Sequence, residues 1–403
     1  MKDRIYIKSK LILGLSLFIF LSLLNGCKGL FGDKTDISFI EVPNFSVRPV
    51  SYVPIQPVIT GFDNITDITT GFDELIYAVD AGKEEIICYD ESMRELSRLK
   101  IKGVTKVVQD RRLDLFAIGR LDTIIDSVNY SLPCIYRLNL KSGGYGLSNA
   151  DIYKKIVHPF YVNSSLKVSD TAVKFTGVAV LADNSFYVSR TGVSQNNLIG
   201  GPDDAVLYFS GLNRYIGFIQ VVTSEGLKDD FFRSVVEVVS FVTPPQTQQV
   251  PLQPNFVVAS NSSFDPLKVK FINFAIQEGS PVYSLNQDLV VGDTTKAAGF
   301  LYTPGRFSSP SDVALSGDGS KLVFVTDAVK DSLYVFTDTG LEGVVPPAGS
   351  TSLKNINVSF GGRGNDLRQF QSPVAVTYKK KVVYVADAGN KRILRFKLTT
   401  DFE

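Results

Sequence analysis

The C-terminal part of the chain contains the segments that decide the fold. These are Phe370-Gln-Ser-Pro-Val-Ala-Val376, Val382-Val-Tyr-Val-Ala-Asp387-Ala and Arg392-Ile-Leu-Arg-Phe396. The same order occurs earlier as Phe307-Ser-Ser-Pro-Ser-Asp-Val-Ala-Leu315, Leu322-Val-Phe-Val-Thr-Asp327-Ala and Ser332-Leu-Tyr-Val-Phe336. Each segment is rich in β-branched and aromatic residues and is bounded by turn-forming residues, which indicates short strands. Because self-similarity of this kind is typical of repeat architectures, the chain predicts a repeated β-unit.

Four weaker copies precede these two. They begin near Leu75, Leu113, Thr176 and Val235, so six units extend over roughly residues 62–398. No segment after the N-terminal region keeps a helical period over three turns. Four-stranded units that repeat radially bury their edges in a propeller. The sequence therefore predicts an all-β, six-bladed β-propeller of four-stranded blades.

The last unit resembles the NHL repeat. The resemblance rests on the Pro373-Val-Ala-Val strand, then Tyr384-Val-Ala-Asp387-Ala-Gly-Asn390-Lys-Arg392-Ile. The unit that contains Asp327 keeps half of this pattern, and the three middle units depart further. The resemblance implies a propeller and a binding or scaffolding role rather than a defined activity.

The sixth unit supplies only three strands before the chain ends. Residues 45–60 lie before the first unit and contain a strand-like stretch with Pro49, Pro54 and Pro57. Proline in a strand is confined mainly to sheet edges. We therefore expect this stretch to form the outermost strand of the last blade and to close the ring, giving one propeller domain over residues 45–403.

The N-terminus has the form of a secretory signal. Four basic residues precede the uncharged stretch 11–24, which is too short for a comfortable membrane span. Leu24-Asn-Gly-Cys27 then resembles the lipobox of bacterial lipoproteins. The resemblance implies cleavage of residues 1–26, lipidation of Cys27, and a membrane anchor followed by a tether over residues 27–44. By resemblance to the sorting rule of enteric bacteria, Lys28 after the cysteine favours the outer membrane, on its periplasmic side or at the cell surface.

Composition argues against several function classes. Cleavage would change the formal net charge from +1 to −2, which removes the general basic character that nucleic-acid binding requires. A single His excludes a His-based metal cluster and disfavours ordinary acid–base catalysis. We expect no catalytic residue, metal ligand or cofactor.

The loops after the second strand of each unit open on the face where propellers usually bind. Two of these loops are long, Gly119 to Pro133 and Arg190 to Asp204, and we expect them to be too long and polar for tight hairpins. Either they contribute to binding or they are neutral surface insertions.

Charged residues are distributed unevenly around this face. Asp80, Asp327 and Asp387 end second strands in three contiguous units, whereas Arg120 and Arg190 lie in the opposite arc. One hypothesis is a polarised ligand face for a zwitterionic or peptide-like ligand. The alternative is that each Asp accepts hydrogen bonds from its own turn.

Other reactive side chains give weaker signals. The inner-strand carboxylates Asp67, Glu237 and Asp312 stand at differing positions in their strands, so we do not expect them to converge on one ion. No orienting carboxylate can be assigned to His158, which favours a structural role. Cys88 and Cys134 lie on third strands of adjacent units. They form either two buried free thiols or a disulfide.

These observations predict a lipid-anchored envelope propeller that binds a protein, peptide or glycan partner and no nucleic acid. The alternative is a hydrolase or lyase in the central channel that uses a divalent ion such as calcium, as in calcium-dependent lactonases and related six-bladed hydrolases.

Overall fold

The structure is a computed structural model that describes residues 49–192, 202–245 and 253–402. The predicted signal, Cys27, the tether and residues 45–48 lie outside the described residues. The described chain from Val50 onwards is one propeller unit. Its helices are single 3₁₀ turns, at Leu147–Asn149, Val168–Ala172, Ala388–Asn390 and Thr399–Asp401. None of these has the length or apolar character of a membrane-spanning helix.

Six sheets form the blades, and their strands pair antiparallel except for one parallel pair in the sheet of blade 4. Blade 1 contains β2 (Ile65–Thr70), β3 (Ile76–Asp80), β4 (Glu85–Tyr89) and β5 (Glu95–Lys100). Blade 2 contains β6 (Lys106–Gln109), β7 (Asp114–Ile125), β8 (Val128–Asn139) and β9 (Asp151–Val157). Blade 3 contains β10 (Lys174–Val180), β11 (Phe186–Thr191), β12 (Ala205–Phe209) and β13 (Tyr215–Phe218).

The remaining blades complete the ring. Blade 4 contains β16 (Val235–Ser240), β17 (Phe256–Ser260), β18 (Val269–Gln277) and β19 (Ser280–Leu285), extended by the hairpin β14 (Val221–Thr223) and β15 (Gly226–Lys228). Blade 5 contains β20 (Pro310–Leu315), β21 (Leu322–Asp327), β22 (Ser332–Thr337) and β23 (Phe360–Gly361). Blade 6 contains β24 (Pro373–Lys379), β25 (Val382–Asp387), β26 (Arg392–Leu398) and β1 (Tyr52–Thr60).

The ring closes as the sequence predicts. Strand β1 pairs antiparallel with β26, and Tyr52 faces Leu398 at the start of the ladder. Pro57 lies in the register shift between Ile55 and Ile59, where the ladder does not need its missing N–H group. One sheet thus joins the two ends of the domain. The prediction of a six-bladed propeller closed by an N-terminal strand is confirmed.

The core is divided among the blade interfaces. A separate cluster of buried apolar side chains fills the space between each neighbouring pair of blades in the described ring. Between blades 2 and 3, for example, the rings of Phe116 and Phe186 lie 4.7 Å apart at an edge-on angle. Because each blade packs only on its neighbours, the inner strands remain free to line a central channel.

The prediction about the long loop of blade 2 is wrong. Strands β7 and β8 continue pairing beyond the blade to Ile125 and Val128, so the segment is a β-hairpin with a tight turn. Asp126 and Ser127 supply that turn with φ angles of 49° and 66°. Two residues of positive φ match the twist of the flanking strands, which permits a tight connection. The loop of blade 3 lies largely outside the described residues.

Candidate functional site in the central channel and at its mouth

Equivalent positions on the six inner strands form a ring around the channel. In five blades the first strand has a β-bulge, and the residue that follows it is Asp67, Gly177, Glu237, Asp312 or Ala375. In blade 2 the position is taken by Lys106, the first residue of β6. We call these six residues the channel ring. Since a bulge re-aims the residue that follows it, this repeated irregularity brings equivalent positions of five blades into register.

Three carboxylates of the channel ring surround one ammonium. Lys106 Nζ forms an ion pair with Glu237 Oε2 and lies 3.9 Å from Asp67 Oδ1 and 3.7 Å from Asp312 Oδ1. The three carboxylates therefore meet at an ammonium group, although in the sequence they stand at differing positions in their strands. The positions differed because strand starts were assigned without the bulges, which bring these residues into register.

The other carboxylate oxygens bind backbone N–H groups. Asp67 accepts from Val107 at 2.8 Å, and Asp312 accepts from Val376 at 2.7 Å, each across a blade interface. Glu237 instead accepts from Val238 beside it, at 3.0 Å. A side chain at position 177 would occupy the space of the Glu237 carboxylate, which explains the glycine there. These bonds tie neighbouring blades together at the level of the ring.

Burial dominates the electrostatics of this cluster. It raises the pKa of Asp67 to about 6 and that of Glu237 to about 8, and it also raises the pKa of Asp312. Burial lowers the pKa of Lys106, but the three carboxylates outweigh it and hold this pKa above its ordinary value. Three acids and one base are buried together here. The folded protein therefore keeps carboxyl protons that the same groups would release in water.

The cluster does not fit a calcium ion. Calcium requires six to eight oxygen ligands. Here the Lys106 ammonium already occupies the position among the carboxylates where a metal ion would have to bind. Within the described residues, no group of three acidic, cysteine or histidine ligands is arranged to hold a metal ion. The channel below the ring is a cavity of about 100 Å³ with polar contributions from Thr70, Gln109, Ser240 and Thr377.

The three aspartates proposed for the ligand face hold turns. Asp327 accepts backbone N–H bonds from both Ser308 and Ser309, and also from Val329 and Lys330. All three carboxylates are fully buried, Asp80 and Asp387 included. This is the arrangement expected from the alternative in which each Asp accepts bonds from its own turn.

Asp80 and Asp387 also accept hydrogen bonds from backbone N–H groups, and each in addition forms an ion pair with a basic side chain. Asp80 accepts N–H bonds from Asp63 and Asn64, each at 2.9 Å, and pairs with Lys83 at 3.2 Å. Burial raises the pKa of Asp80, but these partners outweigh it and lower the pKa overall.

Asp387 accepts from the Gln371 N–H and forms an ion pair with Arg392 at 2.9 Å. The NHL-like residues therefore bind the chain that enters blade 6.

Arg190 occupies the equivalent position in blade 3 but is not at the surface. Its guanidinium is fully buried and donates to the Tyr161 hydroxyl and to the carbonyls of Pro202 and Asp203. In blade 4 the equivalent position is Ser260. Alignment of the sequence units alone gives Ala259, one residue earlier. Arg190 therefore holds together the start of strand β12 and the loop after β9.

His158 lies in the same buried region and has a carboxylate that the sequence could not identify. Its Nε2 lies 2.9 Å from Asp170 Oδ1, and both side chains are fully buried. Burial, with the nearby charge of Arg190, lowers the pKa of His158 to about 4. A neutral ring donates from Nε2 to Asp170, which agrees with the structural role expected from the sequence.

Cys88 and Cys134 are both buried free thiols. Burial raises the pKa of each to about 12, which makes them unreactive at neutral pH. Of the two alternatives, the structure thus has the free thiols rather than the disulfide.

Arg120 is the proposed ligand-face residue that lies at an open cavity. The cavity has a volume of about 400 Å³ and lies directly above Lys106. Its lining is Thr66, Gly103, Thr105, Lys106, Ile118, Gly119, Arg120, Pro133, Lys174, Phe175, Thr176 and Val236. We call it the mouth pocket. It combines an apolar wall with cationic side chains and has the size of a small-molecule site.

Sequence reasoning missed Lys106 and Lys174. Both come at the first residue of an inner strand, and both strands lack the Pro that marks this point in blades 5 and 6. An alignment of the six units at their inner strands would have placed Lys106 with Asp67, Glu237 and Asp312. That alignment is the available signal for the ring, whereas the mouth pocket is lined by strand residues of four blades and by Gly103 and Thr105 between β5 and β6.

Comparisons with known proteins support the fold. No protein-family model and no curated protein matches this chain. An auxiliary nutrient binding protein from Bacteroides thetaiotaomicron matches with a TM-score of 0.50 and 11% identity, over 84% of this chain and 70% of that one. A structural genomics protein of unknown function from the same organism gives 0.47 and 12%, over 87% and 75%.

A third solved structure, virginiamycin B lyase from Staphylococcus aureus, gives a TM-score of 0.44 and 9% identity, over 87% of this chain and 99% of that one. At these identities the likeness concerns the fold alone. The chain is similar to these proteins as a six-bladed β-propeller.

Proposed function

We propose that this chain is a binding protein of a bacterial cell envelope, anchored by a lipid on Cys27, that takes up a ligand in the mouth pocket of its propeller. The observation that carries the binding role is the mouth pocket itself, an open cavity of about 400 Å³ above a channel whose charged groups already have partners. The NHL-like residues of blade 6 and the lipobox-like residues before Cys27 agree with a scaffold of this kind.

The arrangement of reactive groups supports binding over chemistry. A general base must lie within hydrogen-bond reach of a substrate proton. The chain has one His, which is buried against Asp170 and does not line the mouth pocket. The alternative, a hydrolase or lyase with a divalent ion in the channel, would require Lys106 to leave its three carboxylates. The lyase among the structural neighbours shares the fold at too low an identity to favour that alternative.

Blocking the mouth pocket tests the binding role. Thr105 is exposed and lines the pocket, so Thr105→Trp should fill it without removing a buried group. A thermal-shift screen of peptides, oligosaccharides and small organic acids should find compounds that stabilise the wild type and not this variant. Compounds that stabilise both proteins equally would place binding elsewhere and contradict the proposal.

The lipid anchor has its own test. In a bacterial host supplied with labelled palmitate, the wild type should carry the label and sediment with membranes. Cys27→Ser should lose the label, because the diacylglycerol is attached through the cysteine sulfur. Labelling that persists in Cys27→Ser would contradict the anchor.

A further inference from the structure

The mouth pocket has a charge pattern that identifies the class of ligand. Three cationic side chains line it, Lys106 at the floor, Arg120 in the wall and Lys174 at the rim. None of its described lining residues is acidic. The nearest carboxylate on the hairpin above it is Asp122, and this carboxylate pairs with Lys102 at 3.1 Å.

The three cations differ in how far their charge is compensated. The ammonium of Lys106 is neutralised by the carboxylates below it. Arg120 donates to the hydroxyl of Ser131 and to the carbonyls of Ser131 and Thr171, which are neutral groups. Lys174 is exposed and has no ion pair within the described part of the chain. The mouth pocket therefore retains positive charge, mainly at Lys174, because the charge of Arg120 also interacts with the Asp122 carboxylate.

The rest of the lining is apolar or already hydrogen-bonded. Ile118, Pro133, Phe175 and Val236 give the apolar wall. The hydroxyl groups of Thr66 and Thr176 donate to the carbonyls of Thr105 and Val235 in the next blade, so they support the wall. A ligand that fills this cavity must place apolar surface against the wall and charge near Arg120 and Lys174.

Two glycines shape the cavity beside Arg120. A side chain at Gly119 would come within 2.7 Å of the Lys102 carbonyl, and one at Gly103 would come within 3.1 Å of Arg120. Gly103 also has a positive φ of 59°, a conformation that other residues adopt at a cost. The backbone of this turn therefore packs closely on the Arg120 side chain and holds it at the wall of the pocket.

We infer that the mouth pocket takes a small amphipathic anion, with its carboxylate, sulfonate or phosphate group near Lys174 and Arg120 and its apolar body on Val236 and the adjoining wall. This inference rests on the proposed binding role and adds the class of ligand. It applies to a free small molecule, since the pocket has the volume of one.

A pair of fluorescent probes tests the charge requirement. 8-Anilinonaphthalene-1-sulfonate carries one sulfonate on an apolar body, and N-phenyl-1-naphthylamine has the same body without charge. The sulfonate probe should bind the purified protein more tightly than the neutral probe. Sodium chloride at high concentration should weaken binding of the sulfonate probe alone, because salt screens exposed charges.

Substitutions assign the effect to the mouth pocket. Lys174→Gln should weaken binding of the sulfonate probe roughly threefold to fivefold, the scale of one exposed ion pair, and should leave the neutral probe unchanged. Lys154→Gln is the matched control, because Lys154 is also an exposed lysine but lines a different cavity. Thr105→Trp should abolish binding of the sulfonate probe.

The outcomes separate the inference from the proposed function. If both probes bind equally and Thr105→Trp removes both, the mouth pocket binds ligands but does not select anions, and the inference is overturned. If Thr105→Trp affects neither probe, the mouth pocket is not the binding site and both proposals fail. The salt dependence and Lys174→Gln remain informative if Thr105→Trp does not fold.

Discussion

In the two halves of the ring, different residues bind the backbone segment that leads into the inner strand of each blade. In blades 5, 6 and 1, which we call the regular arc, a buried aspartate binds backbone N–H groups just before the inner strand. In blades 2, 3 and 4, the variable arc, the same position is Gly119, Arg190 or Ser260. The mouth pocket lies on the variable arc and its junction with blade 1. The comparison indicates that the repeat motif supplies stability, and that a cavity forms where the motif is replaced.

The largest expected effect concerns the regular arc. Asp387→Ala removes the partner of Arg392, whose side chain is buried, and leaves the Gln371 N–H without an acceptor. Loss of one member of a buried ion pair costs about 3–5 kcal/mol, so the urea midpoint should fall strongly. Asp288→Ala on an exposed loop is the control and should change stability by less than about 0.5 kcal/mol. Equal effects of the two substitutions would refute the stabilising role of the aspartate.

The second prediction concerns the channel ring, which joins the two arcs. The pKa of Glu237 is about 8 in the folded protein against an ordinary value of 4.5. The folded state therefore binds this proton more tightly than the unfolded state, and the contribution of Glu237 to stability decreases as pH rises from 4.5 towards 8. In Glu237→Gln, the decrease in the free energy of unfolding between low and high pH should be about 1–3 kcal/mol smaller than in the wild type.

Urea unfolding at pH 5, 6.5 and 8 measures this effect. Glu225→Gln, at an exposed position on the same blade, provides the comparison and should keep the wild-type decrease. The explanation fails if Glu237→Gln has the same pH dependence as the wild type, since another group would then carry the titration.

The smallest expected effect comes from the variable arc. Burial lowers the pKa of His158 from 6.5 to about 4, so the unfolded state binds this proton more tightly and the contribution of His158 to stability decreases as pH falls from 6.5 towards 4. His158→Asn should reduce that acid-side decrease by about 1–2 kcal/mol. Asp67 and Glu237 also titrate in this range, so the effect of His158 is the difference between the wild type and His158→Asn, each unfolded at pH 4.5 and at pH 6.5. An unchanged difference between the two pH values would show that His158 does not titrate on unfolding.

The sequence predicts the ring better than the site. Phe307 to Phe336 and Phe370 to Phe396 repeat strongly enough to identify strands and turns, and the prolines before the first unit identify the edge strand. Arg120 was identified on its strand end and lies at the mouth pocket. Lys174 was missed, because its neighbours in the pocket come from four blades that only the closed ring brings together.

The amino-acid sequence by itself determined the all-β class, the six units and the closure by residues from the N-terminal side, because strand formation and turn chemistry depend on local order. The tertiary structure decided that Asp67, Glu237 and Asp312 meet at Lys106, and that Arg190 is buried while Arg120 lines a cavity. These facts depend on bulges, on an extended hairpin and on the packing of one blade against the next. Contacts between residues far apart in sequence are set by how the blades pack in the ring. The sequence of one repeat does not specify which side chains of the neighbouring blades it will contact.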